Sequence, residues 1–530
     1  MFGWFACLPR TRESDVLKRG LVVYGLVAAG LAAWHNSFSG AFVLDDQSDI
    51  LGNPAIQKLW PPDLLFGWPP PIQRPVTMLT FAANHALGGL DVWGWHAVSL
   101  LIHVLAGLAL FGLVRRTLRR HAGADPAAPE GAAGAVALLW MVHPLQTESV
   151  TYLVQRAESL AGLCHFFVLY AALRAHESRR GGWWAAAAAG ACLAGVLAKE
   201  SMAVAPLAVA LYDRGFLFPS FRRAFRERWK FYMALAASWL VLAALLIAGP
   251  HNYAGFGNAK FAVLEYVRTQ PGVILHYLRL CFWPNPLMLD YGWPVARTAG
   301  EIVPGVLVVG GLLALLLRSF RSHPRIGATG LWGFLALAPS SSVLPLRDME
   351  FEHRMYLPLA AVVALAVLGA SRAIGRLRWP AGRLQLLKSG LVLGVAAVLG
   401  VLTIARNADY HTAVGMYRDM VAKRPMSVRG HHNLATALSE EGKLDEALAE
   451  IRKTVEIMPD YAEGYFNLGV ILSRLGRTRE AIAAYRKSLA LKPAYGYSAV
   501  NLVILLRKEG REKEAASVIL KYREAVGEGR

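Results

Sequence analysis

"VWGWHAVSLLIHVLAGLALFGLVRRTLRR", residues 92–120, joins an uninterrupted apolar run to a block of four arginines. No Asp, Glu, Lys or Arg falls between Trp93 and Val114. About 20 such residues are enough to cross the hydrocarbon of a bilayer. Arg115, Arg116, Arg119 and Arg120 then mark the cytoplasmic end, because basic residues accumulate in loops that are not translocated. The stretch reads as a span near 94–114 that ends inside.

The same signature recurs on either side of it. Arg179 and Arg180, the group Arg222, Arg223, Arg226 and Arg228, and the group Arg372, Arg376, Arg378 and Arg383 each close or open an apolar run. Of 530 residues, 55% are hydrophobic and only 18% charged, where a soluble protein carries about a quarter charged. The composition is that of a polytopic membrane protein. The net charge of +19 sits in loop-anchoring blocks, so no nucleic-acid partner is expected. Cys164, Cys192 and Cys281 lie in apolar runs and Cys7 in the N-terminal tail. None forms a CxxC pair, which argues against a disulfide scaffold or a zinc site.

Alternating the basic blocks fixes a topology. The tail "MFGWFACLPRTRESDVLKRG" is basic and lacks a small-x-small cleavage site, so residues 19–37 read as a retained first span. Spans follow near 94–114, 132–144, 157–174, 183–198, 202–213, 230–249, 303–317, 327–345, 355–371 and 387–405. The segment 263–283 mixes apolar residues with Glu265, Arg268, Gln270, His276 and Arg279 and reads as an interfacial amphipathic helix. The seventh span exits to "GPHNYAGFG". The total is eleven spans, with the C-terminus outside.

Beyond the last span the composition changes. Asn433, Asn467 and Asn501 recur every 34 residues, as do Gly442, Gly476 and Gly510, Ala413, Ala447, Ala481 and Ala515, and Pro425, Pro459 and Pro493. That period, in "NLATALSEEGKLDEALAEIRKTVEIMPD" (433–460) and "NLGVILSRLGRTREAIAAYRKSLALKP" (467–493), is the tetratricopeptide pattern of paired helices. The register reaches back to 407–426, where only the second helix of a unit fits. The expected fold class is therefore all-α: a membrane domain over 1–406 and a tetratricopeptide α-solenoid over 407–530, whose concave surface suits a peptide or protein.

Sorted by this topology, ionisable residues gather at the outer ends of the spans. They are Asp45 and Asp46 in "FVLDDQSDILGNP" (42–54), Arg74, His143, Glu148, Arg156, Glu158, Lys199, Glu200, Glu350, Glu352, His353 and Arg354. Charges at membrane depth are costly and mark function. Each also has a plainer reading: His143 as a packing residue, Lys199 and Glu200 as a water boundary, Arg156 with Glu158 as a structural ion pair, Asp45 and Asp46 as a turn. Together they offer carboxylates to act as a general base or to hold a divalent metal, and cations to hold a phosphate. Sugar transfer from a membrane lipid phosphate uses all three features.

"FVLDDQSDILGNPAI", "QRPVTMLTFAANHALGGLDVWGWHAVSLLIHVLAG" (73–107), "HPLQTESVTYLVQRAESLAGL" (143–163), "LAKESMAVAPLAVALYD" (197–213) and "FEHRMYLP" (351–358), in this order and followed by the repeats, resemble the transmembrane and tetratricopeptide repeat-containing O-mannosyltransferases, more distantly other GT-C glycosyltransferases. The resemblance implies a polyprenyl-phosphate sugar donor and transfer to Ser or Thr hydroxyls on the extracytoplasmic side. It matches the family's acidic motif to Asp45 and Asp46, its Lys-Glu pair to Lys199 and Glu200, and its Glu-Arg signature to "EHRMYLP". There His353 intervenes between Glu352 and Arg354. The Ala- and Arg-rich composition and short loops point to a bacterial member in the inner membrane, with its repeats in the periplasm.

The expected assignment takes Asp45 and Asp46 as catalytic, with Asp46 preferred as base. Arg354, Arg74 and Lys199 bind the donor phosphate, and His143, Glu148, Arg156, Glu200, Glu352 and His353 support them. The expected partners are the polyprenyl-phosphate sugar, an extracytoplasmic acceptor protein or peptide, and membrane lipid. No metal or cofactor is required, although Mg²⁺ or Mn²⁺ would suit paired acids. The alternatives are a non-enzymatic repeat scaffold anchored in the membrane, and a transferase acting on a lipid or polysaccharide.

Overall fold

A computed structural model describes residues 12–59, 74–121, 128–248 and 262–527. The basic tail with Cys7, the start of the "QRP" motif at Gln73 and the loop at 249–257 lie outside the described residues. Among the described residues the secondary structure is helical throughout, with no strand. The chain divides into two units, Met1–His411 and Thr412–Arg530. The last apolar helix, Ala381–Asp409, runs a few residues past the expected 406/407 boundary.

Among the described residues seven helices are long and apolar enough to cross a membrane: Val16–Ser39, Val92–His121, Gly181–Ala198, Phe221–Ile247, Ala299–Ser322, Pro358–Gly375 and Ala381–Asp409. Each coincides with one of the eleven expected spans. The other four expected spans are helical as well, but shorter or more charged: Ala128–Met141, Arg156–Glu177, Ala205–Tyr212 and Pro324–Leu337. Helix Val263–Phe282 is not among the span candidates and packs Tyr266, Gln270, Val273 and Tyr277 inward. Leu307, Leu315, Val398 and Val401 are more than half uncovered, the outward apolar surface that lipid solvates.

What holds the membrane unit together is an aromatic hub with its polar atoms satisfied. Trp34, Trp140, Phe166 and Tyr356 are fully buried. Trp34 Nε1 donates to Met141 O at 3.0 Å and Trp140 Nε1 to Tyr356 O at 2.9 Å. His103 lies between Met141 O (2.9 Å) and Tyr356 Oη (3.0 Å), tying three helices at one point. Large rings contribute most of the buried area available to a core, and their N–H and O–H groups need such partners. Gly162 lets Tyr356 in: a Cβ there would stand 2.3 Å from the ring.

The repeat unit follows the 34-residue register. Helix pairs Val428–Glu440 with Leu444–Ile457, Ala462–Arg474 with Thr478–Leu491, and Gly496–Lys508 with Glu512–Gly527 follow a lone helix, Ala413–Lys423. Ala447, Ala481 and Ala515 are fully buried, which is why only a small side chain recurs there. Gly442, Gly476 and Gly510 each stand at the turn between paired helices with φ of 80°, 75° and 71°, a conformation that costs an L-residue roughly 1–2 kcal/mol. Gly476→Ala is accordingly expected to destabilise the repeat unit by about 1 kcal/mol, read as a lower urea midpoint of the tyrosine signal. An unchanged midpoint would mean that the turn relaxes without cost.

Candidate functional site

The functional side chains are placed by short polar segments between helices of the first unit. In the segment after the first span, Leu44 has φ of 47°, a left-handed backbone that a branched side chain adopts only under constraint. The constraint is Asp46. It is fully buried, its Oδ2 accepts the Val43 N–H at 3.0 Å and its Oδ1 accepts the Val154 N–H at 2.7 Å. Burial pushes its carboxyl up to about 8, against the pull of those two donors. Asp45 is turned the other way. Its side chain is exposed, and its backbone N–H donates to Tyr152 Oη at 3.0 Å.

Arg74 is the second left-handed residue, φ 62°, at the mouth of helix Pro75–Gly88. Its Nε and Nη2 hold Glu200 as a fork, at 3.1 to 3.3 Å. Both side chains remain about one third exposed. That pairing depresses the Glu200 carboxyl despite its burial. Lys199, the neighbour of Glu200, pairs with Glu158 at 2.5 Å and reaches Gln155 at 3.4 Å.

A further group lies before the span Pro358–Gly375. Glu352 Oε1 accepts from Met288 N at 2.6 Å and from Tyr291 Oη at 2.7 Å. Glu148 Oε2 accepts the His353 N–H, and its Oε1 lies 2.9 Å from His353 Nδ1. Both oxygens of buried Glu350 are without a hydrogen-bond partner. Burial raises all three carboxyls above their ordinary range, and the Glu350 carboxyl gains further from the nearby charges of Glu352 and Glu148. The groups form one electrostatic neighbourhood, since Lys199 acts on both Glu148 and His353, and Arg74 on His353.

Three expected site residues turn out to serve the scaffold. Arg354 donates to Met349 O (2.9 Å), Ser340 O (3.2 Å), Asp348 O (2.7 Å) and Tyr266 Oη (3.3 Å). Its guanidinium is spent on the backbone of 340–349 instead of facing a donor phosphate. Arg156 is fully buried and ties Asn84, Ser99, Thr80 and Trp95 O together. His143 caps the turn that follows it, accepting from Leu145 N, with Nε2 3.1 Å from Cys281 O. Asp45, Asp46, Arg74, Glu148, Lys199, Glu200, Glu352 and His353 do come together. Tyr152, Gln155 and Tyr291 were missed. Their one visible signal is position, inside the same short polar segments.

Sequence comparison shows what the chain is similar to. Residues 70–247 match the family model described as dolichyl-phosphate-mannose-protein mannosyltransferase, and 427–494 and 466–528 match tetratricopeptide repeats. Protein O-mannosyl-transferase Tmtc3 of Drosophila melanogaster is 25% identical over 86% of this chain, and Tmtc1 of the same organism 24% over 82%. Over most of its length the chain is similar to these two Tmtc proteins. It spans 57% and 61% of the lengths of those two relatives. The crystal structure of ArnT from Cupriavidus metallidurans bound to undecaprenyl phosphate aligns over 84% of this chain and 80% of its own. Its 16% identity and TM-score of 0.37 are too low to fix any residue's role. The match to the mannosyltransferase model covers Arg74, Glu148, Lys199 and Glu200.

Proposed function

We propose that this chain is a membrane glycosyltransferase that moves a mannose-like hexose from a polyprenyl-phosphate sugar to Ser or Thr hydroxyls of extracytoplasmic proteins. The observation that carries it is the meeting of an exposed carboxylate, two paired cations and buried acids, contributed by polar segments far apart in the chain. In this reading Asp45, not Asp46, takes the acceptor proton. Asp46 has both oxygens committed to backbone N–H groups, whereas the Asp45 carboxylate is open to an incoming hydroxyl.

Arg74 and Lys199 neutralise the donor phosphate. Each already holds a carboxylate, Glu200 or Glu158, and the partly exposed fork of Arg74 is the one a phosphate enters more readily, since Arg matches its oxygens in pairs. Attack on the anomeric carbon from the Asp45 side, with the phosphate leaving on the other, inverts the linkage. In this reading the repeats hold the acceptor segment and the site works at the outer face of a bacterial inner membrane, the side opposite the basic blocks.

The test is sugar transfer by the full chain in nanodiscs, offered polyprenyl-phosphate hexoses and periplasmic proteins. Sugar on protein supports the reading; no transfer from any donor by folded protein sinks it. In this reading Arg74 and Lys199 supply the positive charge that a metal ion would otherwise bring. EDTA is therefore expected to leave the rate unchanged. Loss of transfer that Mg²⁺ or Mn²⁺ restores would replace that part of the mechanism.

A further inference from the structure

One pair near the site has no part in the reaction just described. Glu148 lies on the short helical turn Thr147–Val150 and is fully buried. Its two oxygens grip His353 twice, one at the backbone N–H and one at Nδ1, each at 2.9 Å. The first contact fixes where the residue sits; the second fixes how the ring is rotated. The Phe351 ring lies against the imidazole, centroids 5.2 Å apart and planes within 25°. With Nδ1 held, Nε2 is the nitrogen left to meet a ligand. The charges whose fields act on the ring, beside Glu148, are Lys199 with its partner Glu158, Arg354 and Arg74, two of which are the cations assigned to the phosphate.

We infer that His353, oriented by Glu148 and protonated when the donor is bound, donates an Nε2–H hydrogen bond to an oxygen of the donor's phosphate. The inference rests on the proposed placement of that phosphate at Arg74 and Lys199. During transfer the acceptor O–H breaks, its proton going to Asp45, and the new bond forms from oxygen to the anomeric carbon. The bond from that carbon to the phosphate oxygen breaks, and its electron pair stays on the phosphate. The phosphate passes from one negative charge to two, and an N–H aimed at it strengthens as that charge grows. His353 is the catalytic residue of this pair and Glu148 the positioning one. His353 is also the residue that separates Glu352 from Arg354 in "EHRMYLP".

Burial and the neighbouring cations Lys199, Arg354 and Arg74 hold the imidazole well below its ordinary range, with Glu158 opposing them. A bound phosphate adds negative charge and reverses that balance. The liganded protein then holds more protons than the empty one, so affinity falls as pH rises. The signature is proton uptake on binding that is lost in His353→Gln, since uptake by the buried carboxyls Glu148, Glu350 and Glu352 would persist in that variant.

The experiment is titration calorimetry of farnesyl phosphate into the full chain in nanodiscs at pH 7.5, in two buffers of different ionisation heat. Wild type, His353→Gln, His353→Ala and Glu148→Ala are compared, with sugar transfer measured on the same samples. Wild type should take up a fraction of a proton. His353→Gln, which keeps an N–H near the same place, should bind within about threefold but without uptake, and His353→Ala and Glu148→Ala about tenfold more weakly. Equal affinities, an uptake that persists in His353→Gln, or no binding to wild type overturns the inference. Normal transfer by His353→Ala with unaltered phosphate affinity removes His353 and leaves the transferase standing. Phosphate binding as expected with no transfer from any donor does the reverse.

Discussion

Asp45→Asn should lower the rate of sugar transfer by roughly 10²- to 10⁴-fold, the usual contribution of a general base, without lowering the unfolding temperature. The side chain is exposed and makes no contact on which the loop depends; only its backbone is tied, to Tyr152. Asp46→Asn should give the opposite pair of results. An asparagine amide offers one acceptor where the carboxylate offers two, so the N–H of Val43 or Val154 would face another donor. A buried N–H left without a partner costs about 1–3 kcal/mol, and the strained backbone at Leu44 would lose its tether. The measurement is transfer rate and thermal unfolding of both variants in the same lipid. A stable, inactive Asp46→Asn beside an active Asp45→Asn would exchange the two roles.

The second large effect separates the arginines. Arg354→Ala should loosen the segment 340–349, because its three carbonyl contacts are lost together and only Ser340 O and Met349 O keep a second donor, Tyr266 Oη and Gln270 Nε2. Hydrogen bonds from a charged donor contribute about 1.5–3 kcal/mol, so losing this clamp is enough to loosen the segment. Amide hydrogen exchange over 338–352 should then accelerate by at least tenfold. Arg74→Ala should leave exchange there untouched and raise the KM for the lipid donor by about tenfold or more, the scale of a lost bidentate contact to phosphate. Slow exchange in Arg354→Ala with a raised donor KM would return the phosphate to Arg354.

The fold was legible wherever the sequence repeats a physical requirement. The 34-residue step is visible because a left-handed turn admits glycine at 442, 476 and 510, and a close helix contact admits alanine at 447, 481 and 515. The spans are visible because bilayer thickness sets their length and loop arginines mark their sides. The gathering of Asp45, Arg74, Glu148, Lys199 and His353 was legible in outline, from topology alone. What each does was not. Asp45 and Asp46 are adjacent and chemically alike, and only a left-handed residue at 44 decides which one turns inward. Arg354 and Arg74 look equivalent in the sequence, yet one is surrounded by backbone carbonyls and the other by a carboxylate from far along the chain. Pairings at such separations carry no local signal.

Those separations bear on how the protein is made. Arg74 finds its carboxylate 126 residues later, and Glu148 its imidazole 205 residues later. During synthesis the early helices must therefore enter the membrane with charges whose partners have not yet left the ribosome. An unmatched charge at that depth is expensive, so the early helices gain a strong reason to wait for the late ones. A nascent chain stalled before residue 353 carries an open carboxylate at Glu148 and an incomplete wall around it. It would be inactive, and its exposed charges would give membrane chaperones and proteases a means of telling an unfinished copy from a finished one.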